Sequence, residues 1–173
     1  MPELYKKYNA LTPSRRILLG PGPSLVHPRV LQAMSTPLIG HLDPEFLTIM
    51  NETQELLRWL FQTNNQFTIA VSGTGSAAME TAIANLIESG DRVIVGINGV
   101  FGNRIAQMVT RCGGTVIEIT APWGEPIPFD QIAHLLQTAE AIKAVALVHA
   151  ETSTGVWQPL GGVGALCHQH DAL

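Results

Sequence analysis

Charge and cysteine are scarce in this chain, and it has no long apolar run. Only 14% of its 173 residues are charged, the net charge is −4, and no face reads as a basic stripe, so nucleic acid is not expected as a partner. Its two cysteines, Cys112 and Cys167, make neither a disulfide framework nor a zinc knuckle, and they fit a reducing, cytoplasmic setting. No apolar stretch approaches the roughly 20 residues that a membrane helix needs, so no membrane partner is expected. The N-terminus, MPELYKKYNALTPSRR, is polar and carries no apolar segment of secretory type. Glycine (16) and proline (11) are too few and too scattered for a collagen or low-complexity chain. Lysine is rarer still, confined to Lys6, Lys7 and Lys143. What is abundant is apolar: 46% of the residues are hydrophobic and the mean hydropathy is +0.19, which argues for one packed core of domain size.

The chain falls into two styles of pattern. Residues 1–19 read as an N-terminal arm, with Lys6, Lys7, Arg15 and Arg16 interrupted by Pro13. Gly22, between two prolines in GPGPS, marks a fixed bend. A short helix is expected after His27, with Pro28 in its first turn. A longer one follows Asp43-Pro44-Glu45, with Asp43 as N-cap and Phe46, Ile49, Met50, Leu56, Leu57, Leu60 and Phe61 spaced as one buried face. From residue 66 strand and helix alternate. The expected strands are 67–71, 92–97, 115–120 and 144–150, and the helices 76–89, 101–112, 129–140 and 161–170. Apolar strands separated by helix-length segments predict an α/β fold, a mostly parallel sheet covered on both faces, with ligands at the carboxyl edge. Ala172-Leu173 reads as the opening of a fifth strand, and the chain is expected to be an N-terminal fragment.

Ser72-Gly73-Thr74-Gly75-Ser76 joins the first expected strand to a helix N-terminus. One reading is a phosphate cup, in which helix N–H groups and the Thr74 and Ser76 hydroxyls meet an anion. The other is a tight strand–helix turn capped by Ser76. Gly73, Gly75 and Ala78 also spell G-x-G-x-x-A, but the second strand ends in Gly96-Ile97-Asn98 without the acid that a dinucleotide ribose requires. No Gly-Lys-Ser/Thr follows, which excludes a P-loop.

Two more strand ends carry chemistry. Phe101 lies between glycines in NGVFGNR, placed either to stack on a flat ligand or to start a helix core. His149-Ala150-Glu151-Thr152-Ser153-Thr154-Gly155 is either a polar ligand cluster or an N-cap with a surface turn. His149 and Glu151 spell H-x-E, but the P-C-x-x-C of zinc deaminases is missing. His41 with Asp43, and His168 with His170, are better read as a cap and a solvated helix end, so no metal site is expected. Cys112 and Cys167 read as packing residues.

Taken together, LLGPGPS (18–24), GHLDPEF (40–46), SGTGSAAMETAIANL (72–86), NGVFGNR (98–104) and HAETSTGVWQPL (149–160) resemble the class V, fold-type I aminotransferases that use pyridoxal 5′-phosphate (PLP). The similarity is greatest to the alanine–glyoxylate and serine–glyoxylate (serine–pyruvate) branch. It implies a three-layer α/β/α fold in which residues 20–173 form part of the PLP-binding large domain. It implies that Thr74, Gly75 and Ser76 hold the cofactor phosphate, although some relatives have histidine at the position of Ser76. Phe101 would stack on the pyridine ring, where relatives can carry tryptophan, and Thr152 would reach the ring's 3′-oxygen side. Gly22 would lie by the substrate carboxylate, and the arm would wrap a partner subunit in a homodimer. The implied reaction is transamination between alanine or serine and glyoxylate or pyruvate.

The resemblance also shows what is missing. PLP chemistry needs a Schiff-base lysine and an acid on the pyridinium nitrogen. None of the three lysines fits, because two sit in the arm and Lys143 precedes the fourth strand. No catalytic residue is therefore expected among the 173; the lysine and the acid are expected after Leu173. On that ground the chain by itself is expected to be inactive. The rival readings are a cysteine desulfurase-like PLP enzyme, a nicotinamide-dependent oxidoreductase, and a non-catalytic domain that binds a phosphorylated ligand.

Overall fold

The computed structural model describes residues 11–173, so the part of the arm that carries Lys6 and Lys7 lies outside the described residues. The chain divides into two compact units, one ending at Thr63 and the other spanning Asn64–Leu173.

Among the described residues the first unit holds two helices, α1 (Pro28–Met34) and α2 (Pro44–Phe61). Both begin where the sequence signals a start. His27 Nδ1 accepts from the Arg29 N–H at 3.2 Å, and Asp43 Oδ1 accepts from the Glu45 N–H at 2.9 Å, each with proline in the first turn. Glu45 in the first turn and Arg58 in the last complement the α2 dipole. The buried face expected on α2 is not found: none of its residues is buried, and Phe61 is 71% exposed. Periodicity identifies the apolar side of a helix, but burial needs a surface to cover it.

In the second unit, β1 (Arg92–Ile97), β2 (Thr115–Thr120) and β3 (Ile142–Ala146) form a parallel sheet in the order β2-β1-β3. Helix α3 (Gly75–Leu86) precedes β1, α4 (Val100–Arg111) links β1 to β2, and α5 (Phe129–Thr138) links β2 to β3. A two-residue ladder of β4 (Ala150–Glu151) and β5 (Val156–Trp157) then leads to α6 (Val163–Gln169). The central strand divides the core. Val93, Val95 and Ile97 pack with Ile83 of α3 and with Ile105, Met108 and Val109 of α4, whereas Ile94 packs with Ile132 and Leu136 of α5 and with Val163 and Cys167 of α6. Alternate strand residues point to opposite faces, so this apolar run feeds two helical layers and the unit is a three-layer α/β/α sandwich.

Two strand expectations need correction. Residues 67–71 form no strand, and Phe67 is 84% exposed. The segment is apolar and β-branched, but a strand exists only through a ladder, and no described strand pairs with it. The run expected as a strand over 144–150 begins earlier and leaves the sheet after Ala146, and Ala150 and Glu151 pair instead with Trp157 and Val156. Ala172 and Leu173 form no strand, but Leu173 hydrogen-bonds to β3: its N–H donates to Lys143 O at 3.0 Å and its carbonyl accepts from the Val145 N–H at 2.8 Å.

Candidate functional site

Beyond the carboxyl ends of β1 and β3, the start of α3, the start of α4 and the segment after β3 surround an open cleft of ≈590 Å³. Its wall includes Thr74, Gly75, Ser76, Phe101, Arg104, His149 and Thr152, over an apolar floor of Met79, Ile105, Leu147 and Val148. Five residues expected to hold a cofactor, Thr74, Gly75, Ser76, Phe101 and Thr152, are thus brought to one place. Gly22 stands in the first unit, exposed.

The start of α3 has a definite cap. Thr74 is extended, and its Oγ1 accepts from the Ala77 N–H at 3.2 Å. The cap is therefore Thr74 and not Ser76. The N–H groups of Gly75 and Ser76, in the first turn, have no acceptor inside the helix. Nothing lies within 4 Å of where a Gly75 Cβ would stand. The Ser76 hydroxyl accepts from Arg104 Nη1 at 2.6 Å, and the Arg104 guanidinium lies 5.2 Å from the centroid of the Phe101 ring. Phe101 and Arg104 are three residues apart on α4 and so share a face.

Helix α4 has no cap of its own, since Gly99 at its start offers no side chain. Glu151 takes that place from fifty positions away. One carboxylate oxygen accepts from the Phe101 N–H at 3.0 Å and the Gly102 N–H at 3.2 Å. The other accepts from the Ser153 N–H at 3.2 Å and the Ser153 hydroxyl at 2.5 Å. Ser153 Oγ in turn accepts from the Val100 N–H at 3.0 Å. Glu151 is fully buried, and a Cβ on Gly99 would stand 2.5 Å from its Cδ. A carboxylate at a helix N-terminus meets both the unpaired N–H groups and the positive end of the dipole. It also ties the backbone of Phe101 to the residue preceding Thr152.

The surrounding polar groups hold this edge together. Thr154 Oγ1 donates to Asn98 O at 3.2 Å, and buried Asn98 donates to Glu125 O at 2.9 Å. The Gln158 carboxamide accepts from the Ile127 N–H at 2.7 Å and donates to Ile127 O at 3.1 Å. Trp157 Nε1 donates to His149 Nε2 at 3.1 Å. Among the described residues no three His, Cys, Asp or Glu side chains gather as metal ligands. Cys112 caps the C-terminus of α4, and burial pushes the Cys167 thiol above its usual range, which suits a packing role.

The sequence profile described as "Aminotransferase class-V" matches residues 17–173. The chain belongs to the class-V aminotransferases. Among solved structures, an alanine–glyoxylate aminotransferase from Nostoc sp. is 52% identical with a TM-score of 0.89, covering 96% of this chain and 44% of its own. The ureidoglycine–glyoxylate aminotransferase of Bacillus subtilis is 41% identical with a TM-score of 0.90, covering 95% and 42%. The alanine–glyoxylate aminotransferase of Mus musculus is 43% identical over 172 residues, 99% of this chain and 41% of that protein. The chain thus spans about two-fifths of the length of these relatives.

Class-V aminotransferases depend on PLP, and the cleft can be tested against that group. PLP is a dianionic phosphate on a flat ring. The residues lining the cleft include no Asp or Glu. They offer the first-turn N–H groups of α3, the Ser76 hydroxyl, the Arg104 cation and the Phe101 ring, a set that suits a phosphate and an aromatic plane. Lys143, the only lysine among the described residues, lies on β3 outside the lining, so the site fits holding the group and not bonding to it.

Sequence alone does not single out Arg104, although its three-residue spacing from Phe101 puts the two on one helix face. Glu151 belongs to the 149–155 cluster, read as polar ligands or as an N-cap; it is a cap, but the helix it caps, about fifty residues away, has no local signal.

Proposed function

We propose that this chain forms the cofactor-holding part of a PLP-dependent aminotransferase that passes an amino group from alanine or serine to glyoxylate or pyruvate. The observation that carries the reading is the convergence of the α3 N-terminus, Phe101 and Thr152 on one acid-free cleft. The names of the relatives, with glyoxylate as the recurring acceptor, support the substrate class. PLP, when bound, withdraws electrons from the amino acid's α-carbon and carries the amino group between substrates.

The chain's own residues bind and orient. Thr74 fixes the first turn of α3, so that the Gly75 and Ser76 N–H groups face the phosphate. Phe101 supplies one face of the ring slot. Thr152 presents its hydroxyl to the edge of the ring, while Glu151 and Ser153 hold the backbone on either side of it. On the same reading Gly22 serves substrate binding, and the protein works as a cytoplasmic homodimer.

The test uses protein expressed from the complete reading frame. PLP is expected to bind with a visible absorbance band, and alanine plus glyoxylate to yield pyruvate and glycine. Release of sulfide from cysteine without amino transfer would favour the desulfurase reading. Failure to bind PLP would overturn the proposal. Phe101→Ala is expected to raise the PLP dissociation constant roughly 2- to 10-fold through loss of ring stacking. Retention of PLP equal to that of the parent through dialysis would remove Phe101 from the site.

A further inference from the structure

We infer that Arg104 is a second, cationic ligand for the phosphate group bound at the start of α3. The inference rests on the PLP reading above and names a residue that the phosphate cup as read from sequence does not contain.

Three observations carry it. Arg104 is partly buried in the cleft wall, and its Nη1 donates to the hydroxyl of Ser76, a residue of the cup itself, at 2.6 Å. Its other contact is the Phe101 ring, 5.2 Å from the guanidinium carbon. Both partners are neutral, and no acid lines the cleft to balance the charge. A guanidinium has five N–H donors, and Ser76 takes one of them. The planar fork of the remaining donors matches phosphate oxygens in pairs.

The place of Arg104 decides which part of the ligand it serves. The Ser76 bond fixes one edge of the guanidinium beside the first turn of α3, where helix N–H groups and dipole already favour an anion. The ring contact sets the guanidinium plane beside the aromatic slot. Arg104 thus bridges the two halves of the site, with neutral anchors on both and its charge left for the ligand.

The experiment compares PLP with pyridoxal, which has the ring without the phosphate, on protein from the complete reading frame. Binding is read by equilibrium fluorescence titration and does not depend on turnover. Arg104→Met, which keeps an apolar stem against Phe101, is expected to weaken PLP binding at least about tenfold and to leave pyridoxal binding nearly unchanged. Arg104→Lys, which keeps the charge without the fork, is expected to fall between parent and Arg104→Met. Thermal melting of each variant shows whether it is folded. Equal losses for the two ligands would mean that Arg104 only packs against the ring, and no loss for either would make it a bystander; each result overturns the inference. A parent protein that binds neither ligand would bring down the PLP reading itself, a failure visible before any variant is made.

Discussion

Glu151→Ala is expected to lower unfolding stability by about 3 kcal/mol and to loosen the ring slot together with it. The carboxylate is fully buried and accepts from three backbone N–H groups, those of Phe101, Gly102 and Ser153, and from the Ser153 hydroxyl. Alanine leaves those donors without an acceptor in a closed site. A buried unpaired donor costs about 1–3 kcal/mol, and water entering the space vacated by the side chain recovers part of it. The loss is larger than that of an ordinary helix cap, about 1 kcal/mol, because this one side chain caps α4 and closes the loop after β4 together.

Glu151→Gln sharpens the test. Its carboxamide oxygen can still accept from Phe101 and Gly102, but its NH₂ then faces the Ser153 N–H, donor against donor. Stability should fall by roughly half as much as with alanine. PLP affinity, measured in the same samples at a temperature where both variants are folded, should follow the same order, since the Phe101 backbone is held by this carboxylate. A stability loss with no change in PLP affinity would mean that Glu151 supports the fold without positioning the ring.

The contrast between Glu151 and Thr74 marks what could be read from sequence. Local signals were legible: His27, Asp43 and the glycine-bounded start at Gly75 each announce a helix within a few residues. The strand 92–97 was legible because an apolar, β-branched run in a doubly covered sheet has few other uses, and 115–120 because all its residues but Glu118 are β-branched. The segment 67–71 has the same composition and fails as a strand, because pairing is a property of the neighbour and not of the segment. The apolar stripe on α2 is correct as a stripe and wrong as a buried face for the same reason. In the cleft, the start of α3 and the place of Phe101 could be seen through their glycines, whereas the Ser76–Arg104 bond and the Glu151 cap join residues 28 and about 50 positions apart. No periodicity encodes such distances.

Gly102→Ala is expected to be as damaging as the loss of Glu151, for a steric reason. Gly102 lies on the first turn of α4, where the helix crosses the end of β1. An added Cβ would stand 2.6 Å from Gly96 O and 2.9 Å from the Ile97 Cα. Both are backbone atoms of the central strand, so no side chain can swing away, and the helix must lift off the sheet. Such overpacking costs about 1–3 kcal/mol, and here the upper end applies because β1 is buried on both faces. That corresponds to a fall in melting temperature of roughly 10 °C. Lifting the start of α4 also carries Phe101 and Arg104 away from Ser76, so PLP affinity should drop with stability. Gly164→Ala is the matched control: it also lies in a helix, but nothing stands within 4 Å of its Cβ position, and alanine there should raise stability by about 0.5 kcal/mol. If Gly102→Ala melts within about 2 °C of the parent, the approach of α4 to β1 is not rigid, and the close packing inferred for the start of this helix is wrong.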